Sequence, residues 1–412
     1  MIHALMESFI FVSLLLLCAL WVVIFAYLFW AIKRIPELAR QKVTLPVRWP
    51  KLTVVVPACN EAEHIESAAK TLIAQDYPDL EIILLNDRST DTTAAIIDGL
   101  ADDNTRVKAI HIKTLPAGWL GKVHALDQGV ARAHGEWILC TDADVHFAPG
   151  ILRQAVAFAL DQRCDHLALI PRTIQSGFWL DVAVRAFSLL FIIGTGGANV
   201  NRQGGKSFVG IGAFNLVKAE TLRRTPGFAW LRLEPGDDVG LGLMIYQVGG
   251  RSRLALARDE LSVRWYVTLA AMFKGLEKNL YGPTANYHWW LLLIEVVALA
   301  SFVTAPFLAI GLGLVQKNVI LLISGVGALA VVVAFSIHGK SEGARDVLNT
   351  LFFPAGLIII AAMLLHAGRE CVKNFGIDWR GTHYSLIELR QGQRVKFLTR
   401  RRLRSPRGSL TT

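Results

Sequence analysis

The sequence predicts an α/β domain held between apolar helices of membrane type. Three observations lead there. Long uncharged runs stand at both ends of the chain, strand-length apolar runs alternate with helical patterns in the middle, and the composition is too apolar for a purely soluble protein. Apolar residues make up 53% of the 412 and charged residues 18%, with a mean hydropathy of +0.41. An ordinary soluble domain is about 25% charged, so intrinsic disorder is excluded as well. The 43 Lys and Arg exceed 33 Asp and Glu by +10, which suits nucleic acid or an anionic membrane face.

Residues 9–32 form the first element, 24 positions without a charge, enough for a helix across a hydrocarbon core of about 30 Å. No Lys or Arg precedes it, and Lys33, Arg34, Arg40, Lys42, Arg48 and Lys51 follow. The positive-inside rule therefore places the N-terminus outside and the next segment in the cytoplasm. A signal peptide needs a basic start and a small-residue cleavage site; neither is present, so residues 1–34 read as an anchor. Residues 50–288 have soluble character. Strand-like runs at 52–56, 81–85 and 137–140 alternate with helical patterns at 62–74, 92–100 and 123–134, which predicts a parallel sheet.

Inside this domain, residues 178–193 carry Asp181 and Arg185, and the uncharged run 186–193 is too short to span. The segment reads as an amphipathic helix in the membrane interface, with a buried core helix as the alternative. Residues 289–367 return to membrane character, with uncharged runs at 296–315 and 318–337, a third run at 348–366 containing Pro354, and Trp289 and Trp290 at aromatic-belt positions. Four spans would leave the C-terminus outside. The tail, residues 368–412, carries eight Lys and Arg and no acid from Arg390 onward, so positive-inside asks for the cytoplasm. Either 348–366 is re-entrant or tilted in the interface, or the tail breaks the rule. Basic stretches flanking apolar segments suit anionic headgroups; without zinc-finger spacing or aromatic interleaving, no nucleic-acid partner is expected. Five scattered cysteines, Cys18, Cys59, Cys140, Cys164 and Cys371, have no CxxC spacing and predict neither disulfides nor a zinc site.

The chemistry gathers at strand ends. In a parallel sheet, ligands bind beyond the carboxyl ends of strands, where helix N-termini offer free N–H groups to anions. The first apolar strand runs into Pro57-Ala58-Cys59-Asn60-Glu61, and the second into Asn86-Asp87-Arg88-Ser89-Thr90-Asp91. Asp87 is placed to accept hydrogen bonds from a base or ribose, and Ser89, Thr90 or Asp91 can cap the following helix. The third strand ends in Thr141-Asp142-Ala143-Asp144. Two carboxylates so close at the end of a buried strand need a cation or strong donors, and magnesium is commonly held by one or two carboxylates plus substrate phosphates. Farther on, Glu234-Pro235-Gly236-Asp237-Asp238 precedes a helical pattern. Two acids there either cap the helix or supply a general base whose pKa is raised by its neighbour.

This ordered series resembles the family 2 glycosyltransferases, which share the GT-A fold. The quoted motifs are the strand–Pro opening with Asn60-Glu61, the Asp87 strand end, Gly121-Lys122-Val123-His124-Ala125-Leu126, the Asp142-x-Asp144 pair and the late acidic pair. The match covers about residues 50–290. One N-terminal anchor with a C-terminal cluster of spans is similar to the members that glycosylate lipids: ceramide glucosyltransferase, the hopanoid-associated transferases and the chlorobactene-type carotenoid glucosyltransferases. Tyr266 with Gly275-Leu276-Glu277-Lys278-Asn279-Leu280, and Trp379-Arg380-Gly381-Thr382-His383-Tyr384, add to that resemblance. It implies a GT-A, Rossmann-like cytoplasmic domain on a bacterial-type inner membrane, a nucleotide-diphosphate sugar donor (UDP-linked) and a lipid acceptor. It implies that Pro57, Glu61, Asp87, Lys122 and Asp142 bind the nucleotide sugar, that Asp144 with Asp142 holds Mn²⁺ or Mg²⁺, and that Asp238, beside Asp237, is the base. Arg264 and Trp265 match the end of a Gln/Arg-x-x-Arg-Trp acceptor motif, but Leu261 holds its first position. That departure speaks against processive polymer synthesis. A processive synthase and an inactive nucleotide-binding scaffold are the alternative readings.

Overall fold

The computed structural model describes residues 2–202, 205, 207–340 and 343–396. In chain order the elements begin with α1 (Ile2–Arg34), β1 (Leu52–Ala58), α2 (Ile65–Ile73), β2 (Leu80–Asp87), α3 (Thr93–Asp103), β3 (Val107–Ile112), α4 (Gly121–Ala131) and β4 (Trp137–Cys140). Then come β5 (His146–Phe147), α5 (Ile151–Asp161), β6 (His166–Thr173), α6 (Phe178–Thr195), β7 (Asn215–Lys218), α7 (Ala219–Arg223), α8 (Asp237–Gln247) and β8 (Ser252–Val263). The remainder is α9 (Leu269–Ala285), α10 (Trp289–Val315), α11 (Val319–His338), α12 (Ala344–Leu351), α13 (Phe353–Lys373), β9 (Gly376–Trp379), β10 (Thr382–Ser385) and α14 (Leu386–Gly392).

Two compact units share these elements. The sheet unit takes Ile35–Gln175, Thr195–Trp265 and the described residues from Asn374 on. Its eight strands run in the order β3-β2-β1-β4-β7-β6-β8-β5, with β1 parallel to β2 and β4, and β2 parallel to β3. This is a GT-A-like α/β sheet. All eight β2 residues are buried, as expected of a strand covered on both faces. Pro57 sits in a central strand without cost, because β4 pairs with β1 only as far as Val55 and no partner asks for its missing N–H. The strand and helix expectations hold in position. β1 and β2 each extend to the chemistry-bearing ends, and α3 starts at Thr93, whose N–H is taken at 3.0 Å by the Asp91 carboxylate.

Glu81 on β2 is a buried acid inside this sheet. Burial would raise its pKa, but hydrogen bonds from Lys108, Thr53 and His134 outweigh that and hold it down to about 2. A depressed carboxyl stabilises the fold above its unfolded pKa and loses that contribution as pH falls toward 2. Glu81→Gln is expected to lower the melting temperature at pH 7, and the gap from wild type should narrow below about pH 4.5 and close only as pH approaches 2.

The helical unit takes α1, α6 and α9 to α13. Its core is aromatic. Trp21 stacks on Phe302 at 4.5 Å and donates its indole N–H to the Phe302 carbonyl at 2.8 Å, and Phe25 meets Phe335 and Phe353 edge-on. Tyr266 fills the space a side chain at Gly275 would need, which is the local reason for that glycine. Asp181 on α6 pairs with Arg345 and accepts the Ser176 N–H at 3.0 Å.

Among the described residues five helices are long and apolar enough to cross a membrane by length and composition: α1, α6, α10, α11 and α13. Three details differ from the sequence reading. The segment 348–366 is not one helix; α12 stops at Leu351 and α13 begins at Phe353, because Pro354 lacks an N–H and belongs in a first turn. The helix expected at 178–193 runs on to Thr195 and so reaches spanning length. The stretch from 368, read as a solvated basic tail, instead completes α13 and then returns to the sheet unit as β9, β10 and α14. Leu389 is fully buried, Gly392 packs on Leu233, and the Arg394 and Val395 N–H groups donate to the buried Glu234 carboxylate at 2.6 and 2.8 Å. The tail's remaining basic residues, 400–407, lie outside the described residues.

Candidate active site

The carboxyl ends of β1, β2 and β4 and the N-termini of α4 and α8 bring most of the expected residues together. Lys122, in the first turn of α4, lies 2.7 Å from Asp142 and 3.4 Å from Asp237. One ammonium group thus joins the end of β4 to the start of α8. Burial works against its charge, but the carboxylates of Asp142, Asp237 and Asp238 hold its pKa well above the ordinary value.

Gly212 ties these groups together through its backbone. Its N–H donates to the Asp238 carboxylate at 2.9 Å, and its carbonyl accepts from the Asp142 N–H at 3.2 Å. A Cβ here would stand 2.6 Å from the Asp142 carboxylate, so any larger residue would have to displace that carboxylate. Asp238 also accepts the Val239 N–H at 2.8 Å. Burial first, and then the charge of Asp237, push its carboxyl up to about 7. The pair suspected from sequence is therefore divided in role: Asp237 faces the lysine, and Asp238 is the raised acid.

Asp144 is pushed up to about 6 by burial and by the charges of Asp142 and Glu61. Crowded acids of this kind fit a divalent cation, which would relieve both penalties. Among the described residues no three His, Cys, Asp or Glu side chains converge to hold a metal. An ion here would draw at most two carboxylates from the protein and the rest of its shell from water and ligand phosphate.

The second cluster surrounds Asp87 and Glu61. Asp87 is buried and receives the Arg88 guanidinium through Nε at 2.7 Å and Nη2 at 3.1 Å. Glu61 pairs with Arg380, 319 positions away on the turn between β9 and β10. Loop hydrogen bonds fix the two strand ends to each other: the Asn60 N–H donates to Ser89 Oγ at 3.0 Å, and the Thr90 N–H to Asn60 Oδ1 at 2.8 Å. Arg88, Arg380 and Tyr384 are additions to the residues expected from sequence, since ion pairs and contacts across 294 to 319 positions leave no local pattern. Arg264 and Trp265 directly follow β8, which in strand order lies beyond β7 and β6 from β4.

Residues 53–225 match the profile described as "Glycosyl transferase family 2". They form a family 2 glycosyltransferase domain. Among curated proteins, this domain is similar to a Campylobacter jejuni protein named GalNAc(5)-diNAcBac-PP-undecaprenol beta-1,3-glucosyltransferase, at 36% identity over 25% of this chain and 32% of the relative. It is also similar to the Staphylococcus aureus 4,4'-diaponeurosporenoate glycosyltransferase, at 27% identity over 45% of this chain and 48% of the relative. The matched stretch thus spans less than half of either relative's length. Among solved structures, a Pyrobaculum calidifontis mannosyltransferase, in complex with GDP-Man and Mn²⁺, aligns over 89% of this chain and 98% of its own, at 19% identity and a TM-score of 0.51. That likeness supports the fold of the glycosyltransferase domain.

Proposed function

We propose that the protein is an inverting glycosyltransferase that moves a single hexose or N-acetylhexosamine from a UDP-sugar to a hydroxyl of a membrane lipid, with its domain on the cytoplasmic side. The observation that carries the reading is the Lys122 bridge, which joins Asp142 and Asp237 beside a raised Asp238. A cation held against acids suits a leaving diphosphate on one side, and an acid raised to about 7 suits an acceptor proton on the other. The two relatives named for a PP-undecaprenol-linked glycan and for diaponeurosporenoate, together with the apolar helices, support a lipid acceptor.

Asp238 takes the proton of the acceptor hydroxyl as its oxygen bonds to the anomeric carbon. The bond from that carbon to the diphosphate breaks, its electron pair leaves with the phosphate oxygen, and attack from the opposite face inverts the centre. Lys122 offsets charge on the leaving group, and Asp142 and Asp237 keep it protonated and in place. A divalent ion held by Asp144 and Asp142 would supply further electrostatic stabilisation of the diphosphate. Lys122→Met is expected to lower transfer by about 10²–10³-fold, the range for removing a preorganised charge donor, with Lys122→Arg retaining part of the rate.

The reading is tested by supplying the purified chain with UDP-hexoses and UDP-N-acetylhexosamines, Mg²⁺ or Mn²⁺, and a total lipid extract. Mass spectrometry should find a lipid heavier by one sugar for each UDP released. A ladder of sugars would identify a processive synthase, and no turnover of any donor would leave a binding scaffold.

A further inference from the structure

We propose that the β9–β10 hairpin is a wall of the donor pocket and that Arg380, held by Glu61, is a donor-binding residue that contacts the nucleoside diphosphate. This rests on the donor-site reading above and deepens it. The hairpin reaches three of the elements that frame the proposed donor site. Arg380 pairs with Glu61 beyond β1, Thr382 Oγ1 lies 3.4 Å from the Arg88 guanidinium beyond β2, and the Tyr384 hydroxyl lies near the Gly121 backbone at the start of α4. Tyr384 is 4% exposed, so it anchors the hairpin, whereas the Arg380 side chain remains 44% exposed.

The hairpin is built to present that one side chain. Thr382 pairs with Trp379 across a two-residue turn in which Arg380 and Gly381 both have positive φ, +50° and +77°. Such turns favour Asn or Asp before Gly. An arginine in the left-handed region is a departure from that preference, and departures of this kind gather at functional sites. Asn60 and Arg88, in the same cluster, share the conformation at +55° and +56°. A guanidinium carries five N–H donors in a fixed fork, so its bond to Glu61 leaves donors that match phosphate oxygens.

Binding of UDP and GDP to the full-length chain with Mg²⁺, measured calorimetrically, tests this together with steady-state kinetics in donor. Arg380→Asn keeps a residue suited to the left-handed turn. It should weaken UDP binding and raise donor KM by roughly tenfold or more, the effect of losing a charged hydrogen bond, with kcat within about twofold. Arg380→Lys should fall between it and wild type. Wild-type UDP affinity and KM in Arg380→Asn would overturn the proposal. So would a loss of kcat and melting temperature without a change in binding, which marks a structural role. If Asp238→Asn binds UDP yet fails to transfer while Arg380→Asn behaves as wild type, the hairpin proposal alone falls. If the wild-type chain binds neither nucleotide, the donor-site reading falls with it.

Discussion

Asp238→Asn is expected to lower sugar transfer by about 10²–10⁴-fold, the usual cost of removing a general base, while UDP-sugar binding stays near wild type. The expectation follows from where the carboxyl sits. Gly212 and Val239 fix it with two N–H groups at 2.9 and 2.8 Å, and burial beside Asp237 raises it to about 7. A base must be deprotonated to act, so the rate should climb with pH through a limb near 7 and fall about tenfold per unit well below it. Asp238→Asn should lack that limb. In Asp237→Asn the limb should move to lower pH, because the neighbouring charge is part of what lifts Asp238, and the loss of rate should be milder. Transfer at wild-type rate by Asp238→Asn would pass the role to Asp237.

Asp144→Ala should be nearly as damaging, at about 10²–10³-fold or more, for a different reason. Its carboxyl is raised to about 6 by burial and by Asp142 and Glu61, a penalty that a divalent ion would remove. EDTA should abolish wild-type transfer and Mn²⁺ or Mg²⁺ restore it, whereas neither ion rescues Asp144→Ala. Binding gives an independent readout. Mn²⁺ should raise the melting temperature of wild type but not of the variant, and the gain should shrink as pH drops through 6, because protons compete for the ligand. Full activity in EDTA would sink the assignment.

Local chemistry was legible where it sat at the end of an apolar run. Pro57, Asp87 and Asp142-x-Asp144 each follow a strand whose buried character is plain from its residues, and the structure joins three strands to place them at one edge. Lys122 was legible through its helix start, but its bridge between Asp142 and Asp237 was not, because α8 begins 115 positions later. The return of the chain at Gly376 was the largest thing missed. Its basic residues resembled a headgroup-facing tail, and the signal that it folds back lay in an Arg-Gly turn and in a buried Glu234 awaiting N–H partners from Arg394 and Val395. Neither kind of long-range pairing leaves a periodicity to read. The break before α13 was hidden in the same way, since Pro354 looked like an interruption within a span and was instead its first turn.

The three-part assembly of the sheet unit also governs how the chain threads a bilayer. Residues before Gln175, between Thr195 and Trp265, and after Asn374 all fold into one hydrogen-bonded body, and no membrane can pass through a sheet. A chain that leaves this body for a bilayer and comes back to it on the same side crosses an even number of times. The excursion through α6 contains one long apolar helix, and that helix carries Asp181 and Arg185. The excursion from Tyr266 to Lys373 holds three long apolar helices, α10, α11 and α13, of which two can cross as a pair. The last turns of α13 carry Arg369, Glu370 and Lys373. Each excursion holds an odd number of long apolar helices, so the count of such helices is not by itself the number of crossings.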